Sequence, residues 1–404
     1  MTKQWFDALL EAMLESEPDA PDFLFIAGKQ PIAQCHGALK EFEIADRKEG
    51  LSEKEIEAMA NLLIDGQQRL IDDFATRGSC DCSYALANRA RFRANIFKQR
   101  GRHAIVLRRL PADIPTIDSL GLPPIFRQII LEKNGIIFVT GATGSGKTTT
   151  LAALLSDLNR TQQLHVITLE DPIEYVHAHH GCIFNQRELG RDFPNFAEGL
   201  RAALRQAPKV IFVGEIRDRE TMEIALTASE TGHVVFATLH TIDAGQTVHR
   251  ILGMFSKEEE QQVRQRLADT VRFIVSQRLV NKIDGGRLLV TEIMGSSLRT
   301  REALLYGEGE NRMFADIIEA ASNRGWHTFD QQLLKAFDAG VITEDVAMIF
   351  ATNKNKIRLE IESVKKTKRP DESKGISSGL KMQQPVLPQV AAAVRQAAET
   401  SAAK

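Results

Sequence analysis

Cysteine is scarce in this chain: four in 404 residues, at positions 35, 80, 82 and 182. That is too few, and too irregularly spaced, for a disulfide framework or a paired CxxC zinc site, so reduced thiols are expected. An excess of either charge is also missing, since 51 Lys and Arg stand against 53 Asp and Glu. No global field therefore pulls the chain towards nucleic acid or an anionic membrane, although a local basic patch stays open. A basic, aromatic-rich segment of the kind that stacks single-stranded nucleic acid is lacking too. No run approaches the roughly 18 apolar residues that span a bilayer, and Asp7 and Glu11 stand where a signal peptide would be apolar. A cytoplasmic protein is expected. What is present is 43% hydrophobic and 26% charged residues, enough for a large core and, at this length, for two domains.

Residues 111–124, PADIPTIDSLGLPP, carry four prolines, which discourage a continuous helix and mark a linker between domains at 1–110 and 125–364. In the first, strand-like Phe23 to Ile26 and Arg91 to Phe97 flank the helical pattern EKEIEAMANLLIDGQQRLIDDFA, which predicts a small α+β domain. In the second, the short apolar runs IIFV, HVITL, VIFVG and HVVFATLH alternate with the helical stretches TTTLAALLSDLN and RETMEIALTASE. This is the pattern of an α/β fold with a mostly parallel sheet. Lys257 to Leu279 reads as one long helix, followed by a Gly285-Gly286 turn into RLLVTEIM and several shorter helices to about Val364. The tail, 365–404, has little apolar periodicity and is expected to be disordered apart from a weak helix near its end.

The most specific signal is GATGSGKT: Gly141, Ala142, Thr143, Gly144, Ser145, Gly146, Lys147 and Thr148 match GxxxxGK[ST] between an apolar strand, Ile136 to Val139, and a helix. Such a loop curls its backbone N–H groups around phosphates and adds the positive end of the helix. Lys147 supplies a charge for the β and γ phosphates, Thr148 a ligand for Mg²⁺, and Thr149 follows in the helix's first turn. ATP and Mg²⁺ are therefore the expected cofactors.

Acidic residues at strand ends are the candidates for activating water. In VIFVGEIRD, Glu215 follows a strand that ends at Gly214, the place where many P-loop proteins keep an aspartate for the metal. In LEDPIE, Glu170, Asp171 and Glu174 follow HVITL, and open parallel sheets bind ligands at such carboxyl ends. An acidic cluster there also suits a helix cap or a solvated loop. Thr238 and His240 close the strand that begins at His233, where His240 could sense the γ-phosphate. HAHHGC, from His177 to Cys182, matches no standard zinc spacing and reads as a loop.

Four boxes in this order, GATGSGKTTTLAALL, TLEDPIEYVH, VIFVGEIRDRET and TGHVVFATLHT, resemble the secretion-type ATPases of type IV pili, most closely the retraction ATPases of the PilT/PilU kind, over about residues 85–360. The resemblance implies a RecA-like second domain, a PAS-like first domain and a homohexamer with ATP between subunits. It implies Glu215 as catalytic base, Glu170 and Glu174 near metal and water, and His233 and His240 near the phosphate. RARFRANIF and VLRRLP look like first-domain segments of the family. Arg91, Arg93 and Arg108 are thus candidates to reach the γ-phosphate across a domain or subunit boundary, surface ion pairs being the rival reading.

Some segments depart from the family. The tetracysteine module of assembly ATPases is absent, which favours retraction. APDFLFIAG replaces the ASDLHL-like signature, and SLRTREALLYGEGEN has no clean AIRNLIRE. RGWHTFDQQLLKAFDAGVITEDVAM and NKNKIRLEIES look PilU-like. The expected function is an ATP-driven retraction motor on the cytoplasmic face of the inner membrane, acting on a platform protein. The alternatives are a PilU-like accessory to a paralogous retraction ATPase, or a RecA-like nucleic-acid motor, against which the balanced charge weighs; nucleic acid is not an expected partner.

Overall fold

The computed structural model describes residues 2–368 apart from positions 36, 46, 88 and 311. In chain order the first part holds α1 (Lys3–Ser16), β1 (Asp22–Ile26), β2 (Ile32–Cys35), β3 (Ala38–Glu41), α2 (Glu53–Ile64), α3 (Gln68–Arg77), β4 (Ser79–Leu86), β5 (Ala90–Gln99) and β6 (Arg102–Leu110). The six strands form one antiparallel sheet in the order β3-β2-β1-β6-β5-β4. The amphipathic helices bury Phe6, Leu10 and Met13 of α1 and Ile56, Met59 and Leu63 of α2 with strand residues Phe25, Phe92 and Ile96. The helical pattern between β3 and β4 breaks in two because Asp65 and Gly66 both take positive φ, +50° and +67°. That left-handed step ends α2, as helix C-termini commonly do.

The rest comprises α4 (Ile125–Ile129), β7 (Gly135–Thr140), α5 (Lys147–Thr161), β8 (His165–Glu170), β9 (Ile183–Glu188), α6 (Phe196–Ala203), β10 (Val210–Val213), α7 (Arg219–Glu230), β11 (Val234–Leu239), α8 (Ala244–Leu252), α9 (Glu260–Thr270), β12 (Val271–Asn281), β13 (Arg287–Gly295), α10 (Leu298–Tyr306), α11 (Phe314–Ala320), α12 (Phe329–Asp338), α13 (Glu344–Phe350) and α14 (Lys354–Lys368). Seven strands form the second sheet in the order β13-β12-β7-β11-β10-β8-β9. Every neighbouring pair is parallel except the β12–β13 hairpin. Strands β7, β10 and β11 are buried at every residue, which is why they read as unbroken apolar runs: helices cover both faces.

One element departs from the sequence expectation. Lys257 to Leu279 is not a single helix: α9 ends at Thr270 and Val271 opens β12, which pairs with β7 on one side and β13 on the other. VRFIVSQRLVN carries enough apolar residues for either period, and ladder partners on both sides decide for the strand. The proline-rich segment 111–124 is irregular but tied down, with Ile117 and Leu122 buried in the core of the second sheet. Both sheets belong to one compact unit, Met1–Ile357. Residues from Arg358 form a second unit, helical as far as Lys368. That helix enters the segment expected to be disordered. The remainder, 369–404, with the weak helix expected near its end, lies outside the described residues. No helix among the described residues is long and apolar enough to cross a membrane.

Candidate functional site

Parallel pairing lines up the carboxyl ends of four strands. Thr140 of β7 faces Leu239 of β11, Ala237 of β11 faces Val213 of β10, and Val213 faces Leu169 of β8. The segments leaving those ends border a cavity of about 500 Å³.

The glycine-rich loop forms its first wall. Gly144 and Gly146 have φ of +79° and +91°, and Gly146 caps α5 in the left-handed region. At Gly141, φ +146°, a Cβ would lie 2.5 Å from Ser145 Oγ and 2.6 Å from the Gln277 carbonyl oxygen. The loop thus needs glycine both for its turn and for its close approach to β12. The Lys147 ammonium is buried and donates to the carbonyls of Gly141, at 2.8 Å, and Ala142, at 3.0 Å. Burial lowers its pKa, while the charges of Glu215 and Glu174 oppose that. A desolvated cation at the start of a 15-residue helix, beside a strained turn, fits a polyphosphate. Thr143, Thr148 and Thr149 line the same cavity, with Thr149 Oγ1 also 3.4 Å from the Tyr175 hydroxyl that donates to it.

Acidic residues line the same cavity. Glu215 accepts from Arg217 through Oε2 at 2.7 Å and pairs with His240 Nε2 through Oε1 at 3.0 Å. Burial would raise its pKa, but the Arg217 hydrogen bond and the charges of Arg217, His240 and Lys147 outweigh it and hold the carboxyl below its ordinary value. Glu170 lies deeper. It accepts from Thr168 Oγ1 at 2.7 Å and Gln186 Nε2 at 3.1 Å, and burial pushes its carboxyl up to about 7. Glu174 lines the cavity on the loop after β8. Gly214 stands where an aspartate is common because there is no room for one: a Cβ there would be 2.9 Å from the Leu169 carbonyl and 3.3 Å from Glu170 Cα. The carboxylates come instead from Glu215, one residue on, and from Glu170 on the neighbouring strand. Thr238 donates its hydroxyl to the Gly214 carbonyl, fixing the end of β11 against that of β10.

The remaining candidates separate. Arg93, on β5, reaches the cavity rim from the first sheet. Arg91 instead donates to the carbonyls of Ile173, at 2.7 Å, and Glu174, at 3.4 Å, gripping the loop that carries Glu174. Arg108 is paired with Asp22 at 2.8 Å and does not border its own chain's cavity. His233 sits at the amino end of β11, hydrogen-bonded to the Ala228 carbonyl at 3.0 Å. A six-residue strand puts it about 20 Å from the carboxyl ends, so within one chain it is not beside the phosphate loop. In HAHHGC, His177 stacks on Phe184 with ring centroids 4.6 Å apart, and burial pushes its imidazole down to about 4. Asn159 fastens that loop through Ala178 and Cys182.

Arg217, Arg287 and Leu279 also border the cavity, and sequence reasoning missed all three. Arg217 was visible two residues beyond Glu215. Leu279 was hidden by the helical reading of its strand.

A phosphate loop after a central strand of a mostly parallel sheet, with acids at the ends of adjacent strands and an antiparallel domain before it, defines a RecA-like P-loop nucleotide hydrolase. The family model described as "Type II/IV secretion system protein" matches residues 83–382. The type IV pilus retraction ATPase PilT of Pseudomonas aeruginosa is 38% identical over 328 residues, 81% of this chain and 93% of that protein. The type IV pilus ATPase PilU of the same organism is 37% identical over 358 residues, 88% and 91%. The crystal structure of the pilus retraction motor PilT with bound ADP superposes with a TM-score of 0.76 at 39% identity, covering 87% of this chain and 98% of that one. The chain belongs to the type II/IV secretion system protein family, among its PilT/PilU-like type IV pilus ATPases.

Proposed function

We propose that the protein is a homohexameric ATPase that drives type IV pilus retraction, acting in the cytoplasm on an inner-membrane platform protein. The observation that carries the chemistry is that Glu215 and Lys147 line one cavity at the carboxyl ends of β10 and β7, near enough for their charges to act on each other. On ATP binding, the Lys147 ammonium exchanges the Gly141 and Ala142 carbonyls for phosphate oxygens. Glu215 orients a water and takes its proton as the water oxygen bonds to the γ-phosphorus and the bond to the β–γ bridging oxygen breaks, giving ADP and phosphate. His240, on the other oxygen of Glu215, would report the event to a neighbouring subunit. Thr148 would hold Mg²⁺ together with the phosphates and water-linked Glu170 and Glu174, and the ion would neutralise charge developing on the phosphates. This fits a metal that keeps few protein ligands.

A second reading, an accessory ATPase that supports a paralogous motor, is favoured by the PilU relative, whose match covers slightly more of the chain than that of PilT. Steady-state turnover tests the chemistry: Lys147→Ala should lose productive nucleotide binding, while Glu215→Gln should bind ATP and not turn it over. A strain lacking the protein should bear surface pili that do not shorten. Normal twitching in that strain would exclude the principal-motor reading, and turnover only in mixed rings would select the accessory one.

A further inference from the structure

Both oxygens of Glu215 are taken, one by Arg217 and one by His240. A carboxylate so paired is anchored, and although each oxygen keeps a second lone pair, the paired carboxylate is a weaker base than one whose partner has yielded. Arg217 is able to yield, being 64% exposed at its side chain. Asp171, the residue after β8, lines the same cavity as Arg217 and Arg93. Partial loss of hydration raises that carboxyl, and the charges of Arg217, Arg93 and Arg69 oppose the rise, with Asp81 adding to it. Arg93 and Asp81 belong to β5 and β4 of the first sheet and lie 3.6 Å apart. Charges therefore alternate along Glu215, Arg217, Asp171, Arg93 and Asp81, and the row passes from the ATPase sheet to the antiparallel one.

We propose that Arg217 is a positioning residue shared between Glu215 and Asp171, and that Arg93 of the first domain sets how firmly it holds Glu215. The inference rests on Glu215 being the base. While Arg93 neutralises Asp171, Arg217 stays with Glu215 and the base is held weak. When Arg93 is drawn away, as it is if it engages a phosphate, Asp171 competes for Arg217 and Glu215 regains its basicity. Hydrolysis is thereby linked to the position of the first domain through one shared guanidinium.

The test compares ATP turnover from about pH 3.5 to 8 with the affinity for a fluorescent ADP, using the full chain. The charged groups facing Glu215 are Arg217, His240 and Lys147, so removing Arg217 must raise its pKa. In Arg217→Ala the acid limb of turnover should move upward by about one pH unit, with ADP affinity within about twofold of wild type. Arg217→Lys, which keeps the charge, should return the limb most of the way. Asp171→Asn should move the limb downward, and most of that shift should vanish once Arg217 is alanine. An acid limb unmoved in Arg217→Ala, or an Asp171→Asn shift of equal size with and without Arg217, overturns the proposal. If Arg217→Ala does not fold, Asp171→Asn in the wild-type and Arg217→Lys backgrounds decides, because a point charge cannot be shared as a planar fork is: equal shifts in the two overturn it. Turnover surviving in Glu215→Gln removes the underlying reading instead, whereas a dead Glu215→Gln with unshifted Arg217 variants defeats this inference alone.

Discussion

The buried Glu170 carboxyl and the crowded Gly214 show how single residues fix this site. Glu170 titrates near 7 in the fold, against 4.5 for an ordinary glutamate. Between those values the unfolded chain gives up the proton and the folded chain keeps it, so this group's contribution to stability is full below about pH 4.5 and falls as pH rises towards 7. Glu170→Gln, which cannot ionise, should gain on wild type over the same interval. By pH 8 urea unfolding should place it ahead by about 1–3 kcal/mol more than at pH 5; a constant difference across pH would mean that the carboxyl is charged in the fold. Gly214 has the opposite sensitivity. Any Cβ there presses on the Leu169 carbonyl at 2.9 Å, so Gly214→Asp, which restores the commoner P-loop pattern, should cost about 1–3 kcal/mol and not improve turnover. Thermal unfolding and steady-state kinetics of that one variant check both parts.

Among elements, the loop after β8 depends most on its surroundings. Arg91 on β5 is hydrogen-bonded to two of its carbonyls, Ser83 on β4 donates to Glu188 at 2.7 Å, and the other Glu188 oxygen accepts from the Ile173 N–H at 3.2 Å. The first domain thus holds in place the segment that presents Glu174. Arg91→Ala should raise amide exchange across residues 171–176 and lower turnover about tenfold with little change in ADP affinity; unchanged exchange there would refute the tether. The hold of the first domain on this loop was not legible in the sequence, because the contacts of Arg91 and Ser83 join residues more than eighty positions apart. The strands β7, β8, β10 and β11 were legible, since complete or nearly complete burial leaves continuous apolar runs, and so was the phosphate loop, whose glycines are demanded by backbone geometry. β12 was not, because its character is set by two ladder partners rather than by its own period. The role of His233 was expected from family likeness alone, and nothing local to it specifies which end of β11 faces the nucleotide; the strand's direction does.

For the whole molecule, the decisive question is whether the sites act singly or together. Glu215 is linked on one side to His240, nearly half exposed at 47%, and on the other, through Arg217 and Asp171, to Arg93 at the edge of the first domain. Both routes lead from the reacting centre towards surfaces that a neighbouring subunit can meet. In the proposed ring, closure of one cavity would then alter the next, and a sequence of such closures would become displacement. Mixing wild-type with Glu215→Gln subunits before assembly separates the possibilities. Independent sites lose turnover in proportion to the inactive fraction. Coupled sites lose it far more steeply, because one silent subunit halts its neighbours, so an equal mixture should retain well under half of wild-type turnover. A linear decline, measured with native mass confirming mixed rings, would make each subunit a separate enzyme and leave no route from hydrolysis to a pull on the pilus.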